Sequence, residues 1–90
     1  MNDELQLLKN LGKTSAQWLH AVGIHTGADL RRLGAAAAYR AVRERGFRAS
    51  KVLLYAIDGA LQDIHWNELS ASRKAELNGQ VNDISLRNKS

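Results

Sequence analysis

The sequence contains no cysteine and no proline among its 90 residues. Without cysteine there is neither a disulfide framework nor a thiolate metal site, and the cytoplasm is the expected location. Without proline, helices have to end at glycine, asparagine or capping residues. The first four residues, Met1 to Glu4, are acidic where a secretory signal is basic, and no apolar run approaches the ~20 residues of a membrane helix. We therefore expect neither export nor membrane insertion.

The length and composition indicate one ordinary globular domain. Ninety residues suffice for a single modest core, and 44% hydrophobic with 24% charged residues excludes general disorder. The net charge of +4 permits attraction to phosphate, although many proteins that bind no nucleic acid are equally basic. The distribution of the charge is therefore more informative than its total.

The seven glycines and the capping residues divide the chain into five or six helices with no strand. Asp3 is expected to cap a first helix that ends near Leu11, and Thr14 or Ser15 to cap a second that Gly23 ends. A cap at Thr26 is expected to begin a third helix that ends before Gly34, and a fourth helix is predicted at 35–45, where Gly46 ends it. Ser50 is expected to cap a helix at 51–64, and Asn67 or Ser70 to begin a last helix that ends at Asn78-Gly79. The fold class is thus an all-α compact bundle of short helices, with a domain at 1–79 and a flexible tail at 80–90.

The apolar periodicity predicts a core centred on the helix at residues 51–64. Gly59 inside this helix costs ~1 kcal/mol relative to alanine, which close approach of another helix at that point would explain, and the alternative is that the glycine is merely tolerated. The aromatic residues Trp18, Tyr39, Tyr55 and Trp66 are expected to pack in or beside the core. The aliphatic core residues are predicted to be Leu19, Leu30, Leu33, Val42, Leu53, Ile57 and Leu61.

Residues 8–16, Leu-Lys-Asn-Leu-Gly-Lys-Thr-Ser-Ala, join two predicted helices and resemble a helix-hairpin-helix motif. We call residues 8–16 the hairpin. A tight loop lets backbone N–H groups at a helix N-terminus approach a phosphate, which contacts DNA without reading its sequence. Asn10 replaces the usual first glycine and Lys9 a common proline, and asparagine tolerates the left-handed conformation of the turn. The candidate DNA-binding residues are Lys9, Asn10, Gly12, Lys13, Thr14 and Ser15, and the alternative is that Gly12 only ends a helix and Lys13 only faces water.

A second candidate surface is the basic segment, residues 31–51. Its only acidic residue is Glu44, and its seven basic residues are Arg31, Arg32, Arg40, Arg43, Arg45, Arg48 and Lys51. These side chains are expected to follow phosphates or to bind an acidic partner, and the alternative is a solvated rim that aids solubility. Base-specific readout is disfavoured, because no helix carries an array of Arg, Asn or Gln.

Several further motifs accompany the hairpin in one order: Val22-Gly23-Ile24-His25-Thr26, Asp29-Leu30-Arg31-Arg32-Leu33-Gly34, Ala38-Tyr39-Arg40, Leu53-Leu54-Tyr55-Ala56, Gly59-Ala60-Leu61 and His65-Trp66-Asn67. In combination they resemble the C-terminal domain of the TfoX/Sxy regulators of natural competence, from about Leu5 to Leu77. The resemblance implies a helical domain with helix-hairpin-helix-like, SAM-like elements and a role in DNA transformation or its transcriptional control. Full-length members carry an α/β domain ahead of this one, so the resemblance supports the fold more strongly than the biology.

No pattern of catalytic or metal-binding residues is visible. His20, His25 and His65 lack a metal-ligand spacing, and no nucleophile elbow or paired carboxylates occur. Gly12-Lys13-Thr14 matches the end of a Walker loop, but Leu7 occupies the position of its required first glycine. We expect no enzyme, metal, cofactor or small-molecule substrate.

Two functional hypotheses follow. The first is a non-enzymatic, DNA-associated module of transcriptional co-regulation linked to competence, whose partners are double-stranded DNA or a transcription regulator. The alternative is a protein-interaction adaptor that binds an acidic partner and not DNA. Salt-sensitive binding to arbitrary duplex DNA distinguishes the two, because only phosphate contacts release counterions.

Overall fold

The computed structural model describes the backbone of residues 4–89 and the side chains of residues 4–82. The predicted cap Asp3 lies outside the described residues. In the described range the chain forms six α-helices and one 3₁₀ turn at Trp66–Glu68, with no strand. The helices are α1 (Glu4–Leu7), α2 (Lys13–Ala21), α3 (Gly27–Leu33), α4 (Ala35–Glu44), α5 (Lys51–Gln62) and α6 (Ala71–Lys89). The prediction of a compact all-α bundle is confirmed.

Local capping chemistry sets the start of two helices as predicted. The Thr26 hydroxyl accepts a hydrogen bond from the Asp29 N–H at 3.0 Å, and the Ser70 hydroxyl accepts one from the Arg73 N–H at 3.0 Å. Ser50 occupies the N-cap position of α5, but its side chain makes no capping hydrogen bond. The sequence therefore predicts where α3, α5 and α6 begin. Ser50 stands at the expected N-cap position of α5 but does not cap the helix with its side chain.

Three predicted helix boundaries are wrong. The first helix ends at Leu7 and not near Leu11, because Asn10 has a positive φ of 73° that no α-helix can contain. The N-cap of α2 is Gly12, in place of Thr14 or Ser15, which both lie in the first turn.

The third wrong boundary is the end of α6, which continues through Gly79 to Lys89. Leu77 and Val81 lie four residues apart on one face of α6, and both are buried. The apolar area that they bury offsets the ~1 kcal/mol cost of a glycine inside a helix. Val81 therefore belongs to the core, while the flexibility expected of residues 80–90 stays a prediction.

The core lies where α4, α5 and α6 pack together, with α2 and α3 closing its other side. Five of the seven predicted aliphatic core residues are buried, and Leu61 is half-buried against the core. The prediction that Leu33 belongs to the core is wrong, because this last residue of α3 is 48% exposed, while Leu30, one turn earlier, is fully buried. The buried five are Leu19, Leu30, Val42, Leu53 and Ile57.

Gly59 is closely approached, but by the hairpin and the turn after α5, and not by another helix as the sequence predicts. A Cβ atom at this position would lie 2.6 Å from Nδ2 of Asn10 and 2.8 Å from the carbonyl oxygen of Ile64. Both distances are below any normal van der Waals contact, so only glycine fits without a shift of its neighbours. The absence of a side chain at Gly59 thus allows the hairpin to contact α5.

A buried ion pair joins α5 to α6. The carboxylate of Asp58, which is only 3% exposed, accepts hydrogen bonds from Nη2 of Arg73 at 2.7 Å and from Nε at 3.0 Å. Nε2 of Gln62 donates to the same carboxylate at 2.6 Å. The hydrogen bond to Asp58 raises the pKa of the Arg73 guanidinium above its ordinary value. The buried carboxylate is therefore compensated on two sides.

Candidate nucleic-acid interface

The hairpin is held against α5 by the side chain of Asn10. The carboxamide Nδ2 donates to the carbonyl of Ile64 at 2.9 Å and to that of Ala56 at 3.3 Å, and Oδ1 accepts from the N–H of Trp66 at 3.1 Å. Because the amide is engaged by three backbone groups, Asn10 positions the loop and does not offer its side chain to a phosphate. Two features of the sequence point to this role: an asparagine stands at a glycine position of the motif, and a glycine, Gly59, lies inside the facing helix.

The other candidate residues of the hairpin face outward. Lys9, Gly12, Lys13 and Thr14 are exposed and Ser15 is half-buried. Gly12 has an extended backbone, and a Cβ atom there would meet nothing within 4 Å. The first turn of α2, which carries the positive end of its helix dipole, is therefore open to solvent.

Four of the seven cations of the basic segment are engaged within the protein. Arg32 pairs with Asp29 at 3.2 Å and Arg40 with Glu44 at 3.0 Å. Nη1 of Arg43 donates to the Tyr39 hydroxyl at 3.2 Å and to the Ala49 carbonyl at 3.0 Å, and Lys51 donates to Asn78. The remaining three are exposed and have no ion pair with a described residue; they are Arg31, Arg45 and Arg48.

One cleft brings the two candidate surfaces together. Its volume is about 290 Å³, and it lies between the first turn of α2 and the N-terminus of α5. Thr14 and Ser15 of the hairpin and Arg48 of the basic segment line it, together with Ser50. The other candidate cations, Lys9, Lys13, Arg31, Arg32, Arg40, Arg43, Arg45 and Lys51, lie outside its lining.

The two tryptophans form the aromatic part of the cleft lining. Trp18 is stacked on Phe47 with ring centroids 5.6 Å apart, and Trp66 on Tyr55 at 6.5 Å. Both indoles are half-buried and present surface to the cleft. Trp18 packs against the core as predicted, whereas Trp66 packs on Tyr55. Their place in the cleft lining was not predicted, since the helical pattern shows which face of a helix is apolar but not what lies next to that face.

The histidines pair with each other or with a neighbour. The Nδ1 atoms of His20 and His25 are 2.7 Å apart and the rings are stacked, while Nδ1 of His65 lies 2.7 Å from Oδ1 of Asn67. Among the residues whose side chains are described, no group of three or more His, Cys, Asp or Glu is placed to hold a metal ion. Over the same part of the chain, no helix has the length and apolarity needed to cross a membrane.

The turn between α2 and α3 is stabilised by Asp29. Its Oδ2 accepts from the backbone N–H of His25 at 3.1 Å. This hydrogen bond, with smaller contributions from Thr26 and Arg32, holds the pKa of Asp29 below its ordinary value. The turn that leads from the hairpin to the basic segment is thus fixed by a charged carboxylate.

The compact all-α fold is accompanied by a match to a known family of helical domains. The family described as TfoX C-terminal domain matches residues 1–81, and the chain belongs to this family. A crystal structure of an uncharacterized protein from Listeria monocytogenes, in a triclinic form, is similar with a TM-score of 0.81 at 32% identity, covering 90% of this chain and 92% of that chain. A tetragonal form of a protein of unknown function from the same organism gives a TM-score of 0.80 at 33% identity, with 88% and 98% covered. No curated protein matches the chain.

Proposed function

We propose that this domain is a non-enzymatic regulatory module that associates with double-stranded DNA through sequence-independent phosphate contacts. Within the proposal, it acts in transcriptional co-regulation linked to competence, in the cytoplasm, either on DNA alone or together with a DNA-bound regulator. Family membership supports the regulatory part of the proposal. The DNA contact is supported by the site itself.

The observation that carries the DNA contact is the shared lining of the cleft. The open first turn of α2 and the guanidinium of Arg48, which pairs with no described residue, line the same cleft, and no aspartate or glutamate is among its described lining residues. Backbone N–H groups at a helix N-terminus and an arginine are the groups that most often hold a phosphate. Lys13 lies outside the cleft lining but begins α2, so it adds a positive charge to the same end of that helix.

Binding of a labelled duplex of arbitrary sequence, measured by fluorescence anisotropy at low and moderate salt, tests the proposal. We expect Lys13→Glu and Arg48→Glu each to weaken binding several-fold and to reduce the salt slope by about one unit, because each phosphate contact contributes about 0.9. The loss is expected to be the same for unrelated DNA sequences. Circular dichroism confirms that each variant remains folded.

Arg31→Glu is the matched control, because Arg31 is also exposed but does not line the cleft. It changes the net charge by the same amount as Arg48→Glu. Equal losses in the two variants would show that net charge alone attracts the DNA. Arg40 and Arg43 are less suitable for charge reversal, because Arg40 pairs with Glu44 and Arg43 donates to the Ala49 carbonyl.

The second candidate function, an adaptor for an acidic protein partner, is favoured by the exposed arginines outside the cleft. Arg31 and Arg45 are exposed and have no ion pair with a described residue. Such charges can pair with carboxylates on the surface of another protein. This function would be favoured if the domain does not bind duplex DNA at low salt but retains an acidic protein in a pull-down.

A further inference from the structure

We propose that the cleft between α2 and α5 accepts one unpaired nucleotide, so that the domain binds DNA with a single-stranded extension more tightly than a blunt duplex. This inference rests on the proposed DNA association and goes beyond it. Phosphate contacts on a duplex surface need neither a cavity nor aromatic rings. The cleft offers both.

The lining divides into two chemically different parts. Thr14, Ser15 and Ser50 supply hydroxyl groups, and Arg48 supplies a guanidinium that no described residue pairs. Trp18, Trp66 and Val52 supply aromatic and aliphatic surface. A ligand that satisfies both parts has an anionic group joined to a flat, weakly polar ring system, and a nucleotide has this combination.

The size of the cleft is consistent with one nucleotide. A volume of about 290 Å³ is just below the ~300 to 1,000 Å³ that is usual for small-molecule pockets. It is too small for a folded partner segment, and a base inside a continuous duplex cannot enter it because both faces of that base are already stacked. Only a base at an end, in a gap or in a single-stranded extension is free to enter.

The tryptophans are already fixed in place before a ligand arrives. Trp18 is held by its stacking on Phe47, and Trp66 by Tyr55 and by its backbone hydrogen bond to Asn10. A base that stacks on a fixed indole costs little side-chain entropy. Stacking of bases on aromatic side chains is also tolerant of sequence, which agrees with a domain that lacks a base-reading helix.

The test compares three labelled DNA molecules that share one duplex: a blunt form, a form with a short thymidine extension, and a form with an abasic extension of the same length. The abasic extension adds the same phosphates without bases, so it separates stacking from charge. We expect the thymidine extension to bind about tenfold more tightly than the other two. We also expect it to quench indole fluorescence, because the only tryptophans are the two that line the cleft.

Trp18→Phe and Trp66→Phe leave one indole each and show which ring the base contacts. Arg48→Gln is expected to reduce the affinity for the extended DNA several-fold, while Arg45→Gln, an exposed arginine outside the cleft, serves as the matched control. Quenching in at least one single-tryptophan variant, together with the preference for thymidines over abasic sites, supports the inference.

Four results overturn the inference. Equal affinity for the thymidine and abasic extensions means that only phosphates are bound, and the proposed duplex association then stands alone. Tight base-dependent binding without quenching of either indole means that the base is held elsewhere. Failure to bind any of the three DNA molecules removes both proposals, and quenching by an acidic peptide in place of DNA assigns the cleft to a protein partner.

Discussion

Leu30 and Leu33 show how differently two leucines on one short helix contribute to stability. Leu30 is fully buried, whereas Leu33 is 48% exposed at the end of α3. We expect Leu30→Ala to lower the free energy of unfolding by about 2 to 5 kcal/mol, because it leaves a cavity in the core. Leu33→Ala is expected to cost less than about 1 kcal/mol. Urea denaturation of both variants checks this, and equal costs would show that α3 is rotated from its described orientation.

Gly59 and Gly79 form a second matched pair, because both are helical but only Gly59 is crowded. Gly59→Ala places a Cβ atom 2.6 Å from Nδ2 of Asn10, and we expect a loss of about 1 to 3 kcal/mol from overpacking. Gly79→Ala meets nothing within 4 Å and is expected to stabilise the protein by up to about 1 kcal/mol through helix propensity. Thermal melts of the two variants should therefore shift in opposite directions.

At the scale of elements, the C-terminal helix is where sequence and structure differ most. The sequence predicts that residues 80–90 are dispensable, but Val81 is 6% exposed and packs in the core. Val81→Ala is expected to cost about 1.5 kcal/mol or more, from about 0.8 kcal/mol for each buried methylene-sized group. Truncation after Gly79 removes Val81 and should therefore lower the melting temperature. Truncation after Asn82 keeps Val81 and tests whether residues 83–90 contribute to stability. An unchanged melting temperature after truncation at Gly79 would support the sequence-based prediction that residues 80–90 are dispensable.

The elements that could be predicted are those whose ends are decided locally. Thr26 and Ser70 cap their helices with their own side chains, and such signals lie within four residues. The ends of α1 and α6 were missed because distant contacts decide them: Asn10 bonds to groups 46 to 56 residues away, and Val81 is buried by packing.

The same distinction applies to the candidate site. Thr14, Ser15 and Arg48 were identified from motif and charge, since both are visible in sequence. Their meeting in one cleft was not predicted, because it depends on how α5 packs against the hairpin. The contribution of Trp66 was missed for the same reason, since nothing local indicates that it faces residues near position 14.

At the scale of the whole molecule, the domain should unfold as one unit. Its radius of gyration is 12.3 Å, close to the roughly 12 Å expected for a compact chain of this length. Trp18 reports on α2 and Trp66 on the turn after α5, and the hairpin is bonded to that turn through Asn10. Trp18→Phe and Trp66→Phe each leave one fluorescent indole. In each variant, the urea midpoint from indole fluorescence is expected to coincide with the midpoint from circular dichroism, which follows the loss of helix. Separate fluorescence and helix transitions in either variant would mean that the hairpin opens independently.

The contact between Asn10 and Gly59 also limits which amino acids the two positions can accept together. The Asn10 carboxamide occupies the space that a side chain at position 59 would need. A glycine at position 10, the residue usual in the hairpin motif, would vacate that space and partly rescue an alanine at position 59. Ile64 would still oppose the alanine through its carbonyl oxygen, so the rescue is incomplete. Across relatives of this fold we therefore expect the identities of positions 10 and 59 to covary, although 49 residues separate them in the chain.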